Sequence, residues 1–318
     1  MNSKAGTVKD GRGKDDAASL WSFGPEDSPV MVRNAELVLP HLTIFLGGWA
    51  VRYAGKALDA DRPPDIDIAE QQDGGVKIVL NGPCGYELSF DDEFNAANGL
   101  ASALIAAFVT RQPERVCLHA ASIAVGSGAN STIAVLLGES LAGKSSTALQ
   151  MAAAGYRLFG DDRLAVALDE TVDEGALNGL CMGLMPKVRL PLPPDCGARF
   201  REFIDGNTEM CDEQAAYLSI WDNEAATFGE QAPVTAFIML DRRDSGDCVL
   251  ERAPKGDVIR TLVANCYAPH IPSSALVPLL SRIAGRIDGY RLRFSSSREA
   301  GEAIATELTA RSADITHG

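Results

Sequence analysis

The chain has 318 residues, 46% of them hydrophobic and 23% charged, a balance that suits a soluble globular protein with one larger and one smaller domain. No apolar run reaches the ~18 residues that a membrane-spanning helix needs, and the opening residues lack the apolar stretch of a secretory leader, so a cytoplasmic location is expected. The formal net charge of −14 repels phosphate backbones and anionic lipid, which argues against nucleic-acid and membrane partners.

Residues 1–28 are rich in Gly, Lys, Asp and Ser, lack hydrophobic periodicity, and predict a flexible tail with an anchoring segment at Leu20 and Trp21. Over residues 29–99 the apolar runs 42–46, 76–80 and 86–90, separated by Gly, Pro, Asn and Asp, predict a small α+β domain dominated by strands. Helical spacing of Leu100, Leu104, Ile105, Phe108 and Val109 predicts a helix over 95–110, capped by Asn95 or Asn98 and leading into a second domain at 100–318.

Residues 116–125 then read as a strand, 127–131 as a hairpin-like turn, and 132–137 as a strand buried on both faces. A helix over 146–154 and a strand over 156–159 follow. Further on come a buried strand at 234–240, helices at 255–267 and 274–287, a strand at 290–294 and a helix at 297–310. This alternation across 116–310 predicts an α/β core. The one biased segment is 186–194, with four prolines in nine residues.

The phosphate-loop pattern Gly-x-x-x-x-Gly-Lys-Ser is met by Gly138, Gly143, Lys144 and Ser145, with Glu139, Ser140, Leu141 and Ala142 between the glycines and Ser146 following. A buried strand before it and a helix after it supply the required context. The glycines let successive amides turn toward phosphate oxygens, and the positive end of the helix adds to the attraction. Lys144 is expected against the β- and γ-phosphates and the Ser145 hydroxyl on Mg²⁺.

Asp161 and Asp162 lie 17 and 18 residues after Lys144, at the end of the next predicted strand. Beside a phosphate loop, such a pair can divide metal binding and proton acceptance between its members. A solvated turn that caps the strand is the alternative. His119 is the one histidine in a predicted core strand; alone it reads as a core residue, and beside the acidic pair it could tune a carboxylate. The seven cysteines are scattered without any Cys-x-x-Cys pair and read as buried free thiols.

Residues 118–122, 138–145, 155–162, 250–252 and 262–267 together resemble the kinases related to HPr kinase/phosphorylase, over about residues 100–310. The resemblance implies a P-loop core like that of phosphoenolpyruvate carboxykinase and transfer from ATP with Mg²⁺ to a serine in a protein, a peptide or a small molecule. It also implies that Asp161 is the general base with His119 supporting it, and that Asp162 and Ser145 hold Mg²⁺. Bifunctional members carry a metal-binding glutamate and an arginine loop beyond the acidic pair. Here that region, 185–193, lacks the glutamate and carries Lys187 and Arg189. The departure points toward the relatives that act on peptides or metabolites. Lys187 and Arg189 then have two open readings, as contacts to phosphate or acceptor and as solvated surface cations. A nucleotide-binding regulatory module and a plain ATPase are the competing functional classes, and self-association into a homo-oligomer is left open.

Overall fold

The computed structural model describes residues 18–56, 63–126, 131–169, 176–220 and 222–315. Strands β1 (Ser19–Phe23) and β2 (Val30–Arg33) pair antiparallel, with Trp21 opposite Val32, so the end of the expected flexible tail is a structured strand. Residues 42–46, expected as a strand, instead finish a short helix α1 (Leu39–Leu42) and the turn after it. Pro40 sits in the first turn, where its fixed φ favours a helix, and Leu42, Phe45 and Leu46 bury together at helical spacing. Strands β3 (Val51–Lys56), β4 (Ile66–Glu70), β5 (Val76–Leu80) and β6 (Tyr86–Phe90) complete a sheet ordered β3-β1-β2-β4-β5-β6. In β5 the side chains of Val76, Ile78 and Leu80 turn inward by strict alternation.

Helix α2 (Glu93–Thr110) covers that sheet. Its cap is Asp92, whose carboxylate accepts from the Asn95 backbone N–H at 2.7 Å, in place of the expected Asn95 or Asn98. Gly99 lets the Phe90 ring pack directly on the helix backbone, since a Cβ there would sit 2.2 Å from the ring and push it aside. The border drawn between residues 99 and 100 therefore falls inside one continuous helix. Its apolar face shares a single core with Cys117, Ala165, Leu180 and Met182 of the larger unit. Trp49 Nε1 also donates to the Met182 carbonyl at 2.9 Å, tying the units together.

The larger unit follows as β7 (Val116–Leu118), β8 (Ala121–Val125), β9 (Thr132–Leu137), α3 (Lys144–Ala153), β10 (Leu158–Gly160), β11 (Leu164–Asp169), β12 (Ala176–Cys181) and β13 (Lys187–Arg189). It continues through α4 (Ala198–Asn207), β14 (Thr208–Cys211), β15 (Ala215–Leu218), β16 (Gln231–Arg242) and β17 (Val249–Arg252). The last elements are α5 (Lys255–Asn265), β18 (Cys266–Tyr267), α6 (Ser273–Arg286), β19 (Asp288–Phe294) and α7 (Ser297–Ile315).

Ten of these strands form one mixed sheet in which β9, β16 and β19 run parallel and the other pairings are antiparallel. Helices α3, α4 and α7 pack on one face and α5 and α6 on the other. The expected α/β layering is present, yet strict alternation fails between β10 and β13, where four strands follow one another with no helix among the described residues. The strand expected over 116–125 is broken at His119 and Ala120, because β7 pairs with β11 and β18 while β8 pairs with β9 and β10. The expected turn at 127–131 lies largely outside the described residues. The helix expected over 255–267 stops at Asn265, and its last two residues form β18. No helix among the described residues is long and apolar enough to cross a membrane. The cysteines among the described residues are free, but only Cys117, Cys181 and Cys196 are buried, and Cys211 is exposed, against the expectation of uniformly buried thiols.

Candidate functional site

The C-terminal ends of parallel strands are where a sheet of this kind leaves room for a ligand, and the phosphate-loop pattern occupies that place. Strand β9, buried from Ile133 to Leu137, runs directly into Gly138, and the loop closes at Gly143, the cap of α3. Gly143 adopts φ 93°, a left-handed conformation that glycine enters without strain. At Gly138 a Cβ would lie 3.0 Å from the Ala142 Cβ and 3.2 Å from the Leu240 carbonyl, so the close approach of β16 also demands glycine. Glu139, Ser140 and Leu141 form the exposed crest, while Ala142, Ser145 and Ser146 are half-buried beneath it. The first amides of α3 have no intrahelical acceptor and are free to meet an anion.

Lys144 is buried, and its ammonium donates to the carbonyls of Gly138 at 2.9 Å and Glu139 at 3.1 Å, inside the curve of the loop. Burial holds its pKa below the ordinary lysine value, against the opposing pull of Asp162 and Asp161. The lysine is thus close to both carboxylates.

The acidic pair is brought here by strand register. Gly160 of β10 pairs with Ser122 of β8, and Leu164 of β11 pairs with Leu118 of β7. The link 161–163 between β10 and β11 therefore crosses the sheet opposite the break at His119 and Ala120. The Arg163 backbone N–H donates to the Asp161 carbonyl at 2.7 Å, closing a three-residue turn about Asp162, which adopts φ 63°. This turn sends the adjacent carboxylates to different partners.

Asp161 is buried and accepts from Ser145 Oγ at 2.9 Å. Burial, with the neighbouring Asp162 charge adding to it, raises its pKa from 3.8 to about 6. Asp162 accepts from His119 Nε2 at 3.0 Å. Burial pushes its pKa upward too, but the His119 hydrogen bond and the charges of Arg163, His119 and Lys187 outweigh that and hold it below the usual aspartate value. The pairing expected from the resemblance, Asp161 with His119 and Asp162 with Ser145, is therefore reversed. Sequence adjacency cannot say which way each carboxylate turns; the left-handed residue decides it.

No family model matches this chain, and no curated protein matches it. Among solved structures it is similar to the HPr(Ser) kinase/phosphatase from Coxiella burnetii, at 14% identity and a TM-score of 0.31, over 64% of this chain and 99% of that one. A superposition that loose decides nothing about activity. The site's own residues have to.

Among the described residues no three His, Cys, Asp or Glu side chains group to hold a metal by themselves. Asp161 and Ser145 present a carboxylate and a hydroxyl side by side, which suits Mg²⁺, an ion that keeps several waters and takes few protein ligands. Of the two candidate cations on β13, Lys187 reaches the field of Asp162, whereas Arg189 is exposed two residues on, its side chain without a hydrogen-bond or ion-pair partner among the described residues. Two features were not foreseen. One is a cleft of about 700 Å³ between the loop, the end of β16 and α5, lined by Arg242, Arg260 and Arg291. The other is Arg163, directly after the acidic pair; the signal for both was an arginine closing an apolar strand or following a catalytic-type carboxylate.

Proposed function

We propose that the chain is a kinase that uses Mg²⁺ and ATP to transfer the γ-phosphoryl group to a hydroxyl, serine-like in a protein, a peptide or a small molecule. The observation that carries this reading is the division of the acidic pair, with Asp161 on Ser145 and Asp162 on His119. In the proposal Asp161 and Ser145 hold the metal ion, which when bound neutralises charge on the phosphates. Asp162 accepts the proton of the attacking hydroxyl, and His119 orients that carboxylate. Lys144 turns from the loop carbonyls to the β- and γ-phosphates, and the amides of residues 138–146 cradle the chain of phosphates. Transfer of this kind needs little beyond positioning and charge neutralisation, and the residues present are of the types those tasks require.

The test is incubation of the protein with γ-labelled ATP and fractionated lysate, comparing wild type with Asp162→Asn. Label that passes to an acceptor with wild type and not with the variant, at equal nucleotide affinity, is the expected result. Equal transfer by both proteins removes Asp162 as the base, and nucleotide binding with no labelled acceptor in any fraction favours a regulatory module instead.

A further inference from the structure

The face of the large sheet that is covered by α2 carries, next to the acidic turn, a group of donors that the proposed transfer does not use. Arg163 immediately precedes β11 and lies in line with His119, since Leu164 pairs with Leu118. Ala165 and Tyr267 both pair with Cys117, so all three lie in one row across β11, β7 and β18. Arg163 and Ala165 are two residues apart and share a face, which places Arg163 and Tyr267 on the same side. That is the side on which Cys117 and Ala165 join the α2 core, with Tyr86 of β6 and Tyr267 packed against it.

Arg163, Tyr86 and Tyr267 are each half-buried, and none has a hydrogen-bond or ion-pair partner through its side chain among the described residues. Burial and the neighbouring Tyr267 raise the Tyr86 phenol to about 12 while Arg163 draws it down, so the phenol stays a neutral donor within the guanidinium's field. From the other side Lys187 on β13 faces Asp162, also without a salt-bridge partner among the described residues. In a chain of net charge −14, two cations that share the single Asp162 carboxylate thus converge with two phenols that have no hydrogen-bond partner among the described residues.

We propose that Arg163, with Lys187 and the hydroxyls of Tyr86 and Tyr267, forms a subsite for a compact anionic group, a carboxylate or a phosphate, that the acceptor carries close to its reacting hydroxyl. This rests on the kinase reading above and names the acceptor's chemistry. A guanidinium matches either anion through paired N–H donors, and the phenols complete the shell of donors. An anion seated here fixes the hydroxyl at Asp162 and discriminates against neutral alcohols.

Calorimetry on the full chain, saturated with Mg²⁺ and a non-hydrolysable ATP analogue, tests the subsite with two matched pairs of titrants. These are the tripeptide Ala-Ala-Ser against its C-terminal amide, and glycerol 3-phosphate against glycerol. The expected result is that one anionic member binds about tenfold or more tightly than its neutral counterpart, as a charged hydrogen bond predicts. The pair that shows the gap tells carboxylate from phosphate. Arg163→Gln should erase the gap and Arg163→Lys keep part of it, with nucleotide affinity and thermal midpoint little changed in both. Equal binding within both pairs overturns the subsite, as does a gap that survives Arg163→Gln. So does an Arg163→Gln variant that loses affinity for charged and neutral titrants alike, which would assign the arginine to the nucleotide side. Repeating the titrations without nucleotide reads the subsite even where the analogue fails to bind, a failure that would count against the kinase reading alone.

Discussion

The loop at 138–145 and the turn at 161–163 are neighbours with opposite relations to the sequence. The loop is mostly local: one strand, eight residues in a fixed pattern and one helix build it, with Gly138 answering in addition to the Leu240 carbonyl of β16. The turn is tertiary. Its carboxylates acquire separate partners because two strand breaks, at 119–120 and at 161–163, are held opposite each other by pairings to different branches of the sheet. Chemistry that depends on a pattern can be found by reading along a chain; chemistry that depends on direction needs the fold.

The largest effect should come from separating the two carboxylates. Asp162→Asn is expected to lower kcat by roughly 10²–10⁴ while leaving Mg·ATP affinity close to wild type, as loss of a general base does. Asp161→Asn should do the reverse and abolish Mg-dependent tightening of nucleotide binding. Steady-state kinetics beside calorimetry will show this, and a swap of the two phenotypes would restore the roles implied by the resemblance.

Next in size, Lys144→Ala should weaken ATP binding by about 1.5–3 kcal/mol, the worth of a charge-assisted hydrogen bond, without unfolding the chain. Unaltered affinity would sever the loop from nucleotide altogether.

The turn also carries a stability cost that the loop does not. The folded-state pKa of Asp161 lies near 6, above its ordinary value of 3.8, so the folded protein keeps a proton that the unfolded chain releases. In metal-free protein this preference is satisfied below pH 3.8 and becomes a penalty as pH rises through about 6, growing to at most about 3 kcal/mol. Asp161→Asn should therefore unfold at a higher temperature than wild type at pH 8 in chelator, and the difference should vanish near pH 4. A variant that is less stable at both pH values would show the carboxylate to be a structural asset.

The smallest effect compares two left-handed residues, one in the loop and one in the turn. Gly143→Ala, at φ 93°, should cost about 1 kcal/mol from backbone strain, whereas Asp162→Asn, at φ 63°, should cost almost nothing because asparagine tolerates that region. Chemical denaturation of both variants separates the cases, and a large loss for Asp162→Asn would mean that the His119 contact holds the turn together.

Much of the fold was legible. The strand before the loop, the helix after it and the late strands and helices were found from apolar runs and periodicity, because those elements are buried on one or both faces and carry the pattern themselves. Residues 42–46 were misread because a short apolar run fits strand and helix equally, and only Pro40 hinted at the latter. The break at His119 was invisible, since Val116 to Val125 reads as one mainly apolar run with only His119 and Ser122 polar, and the pairing partners that divide it lie far along the chain. In the candidate site, the pattern singles out the loop residues and both aspartates, and the structure brings them together, but the side to which each carboxylate turns is not in the pattern.

Helix α2 has a practical consequence for anyone who wishes to cut or recombine this protein. A chain begun at residue 100 would keep the second half of the helix and expose Leu104, Ile105, Phe108 and Val109 to water without the sheet they were folded against. The safe seam lies after Arg111, and even there the first piece takes with it the lid over Cys117 and Ala165. Grafting a different leading segment onto the remainder therefore means redesigning a buried surface, in the way a subunit interface is redesigned, and cannot be done by exchanging one module for another.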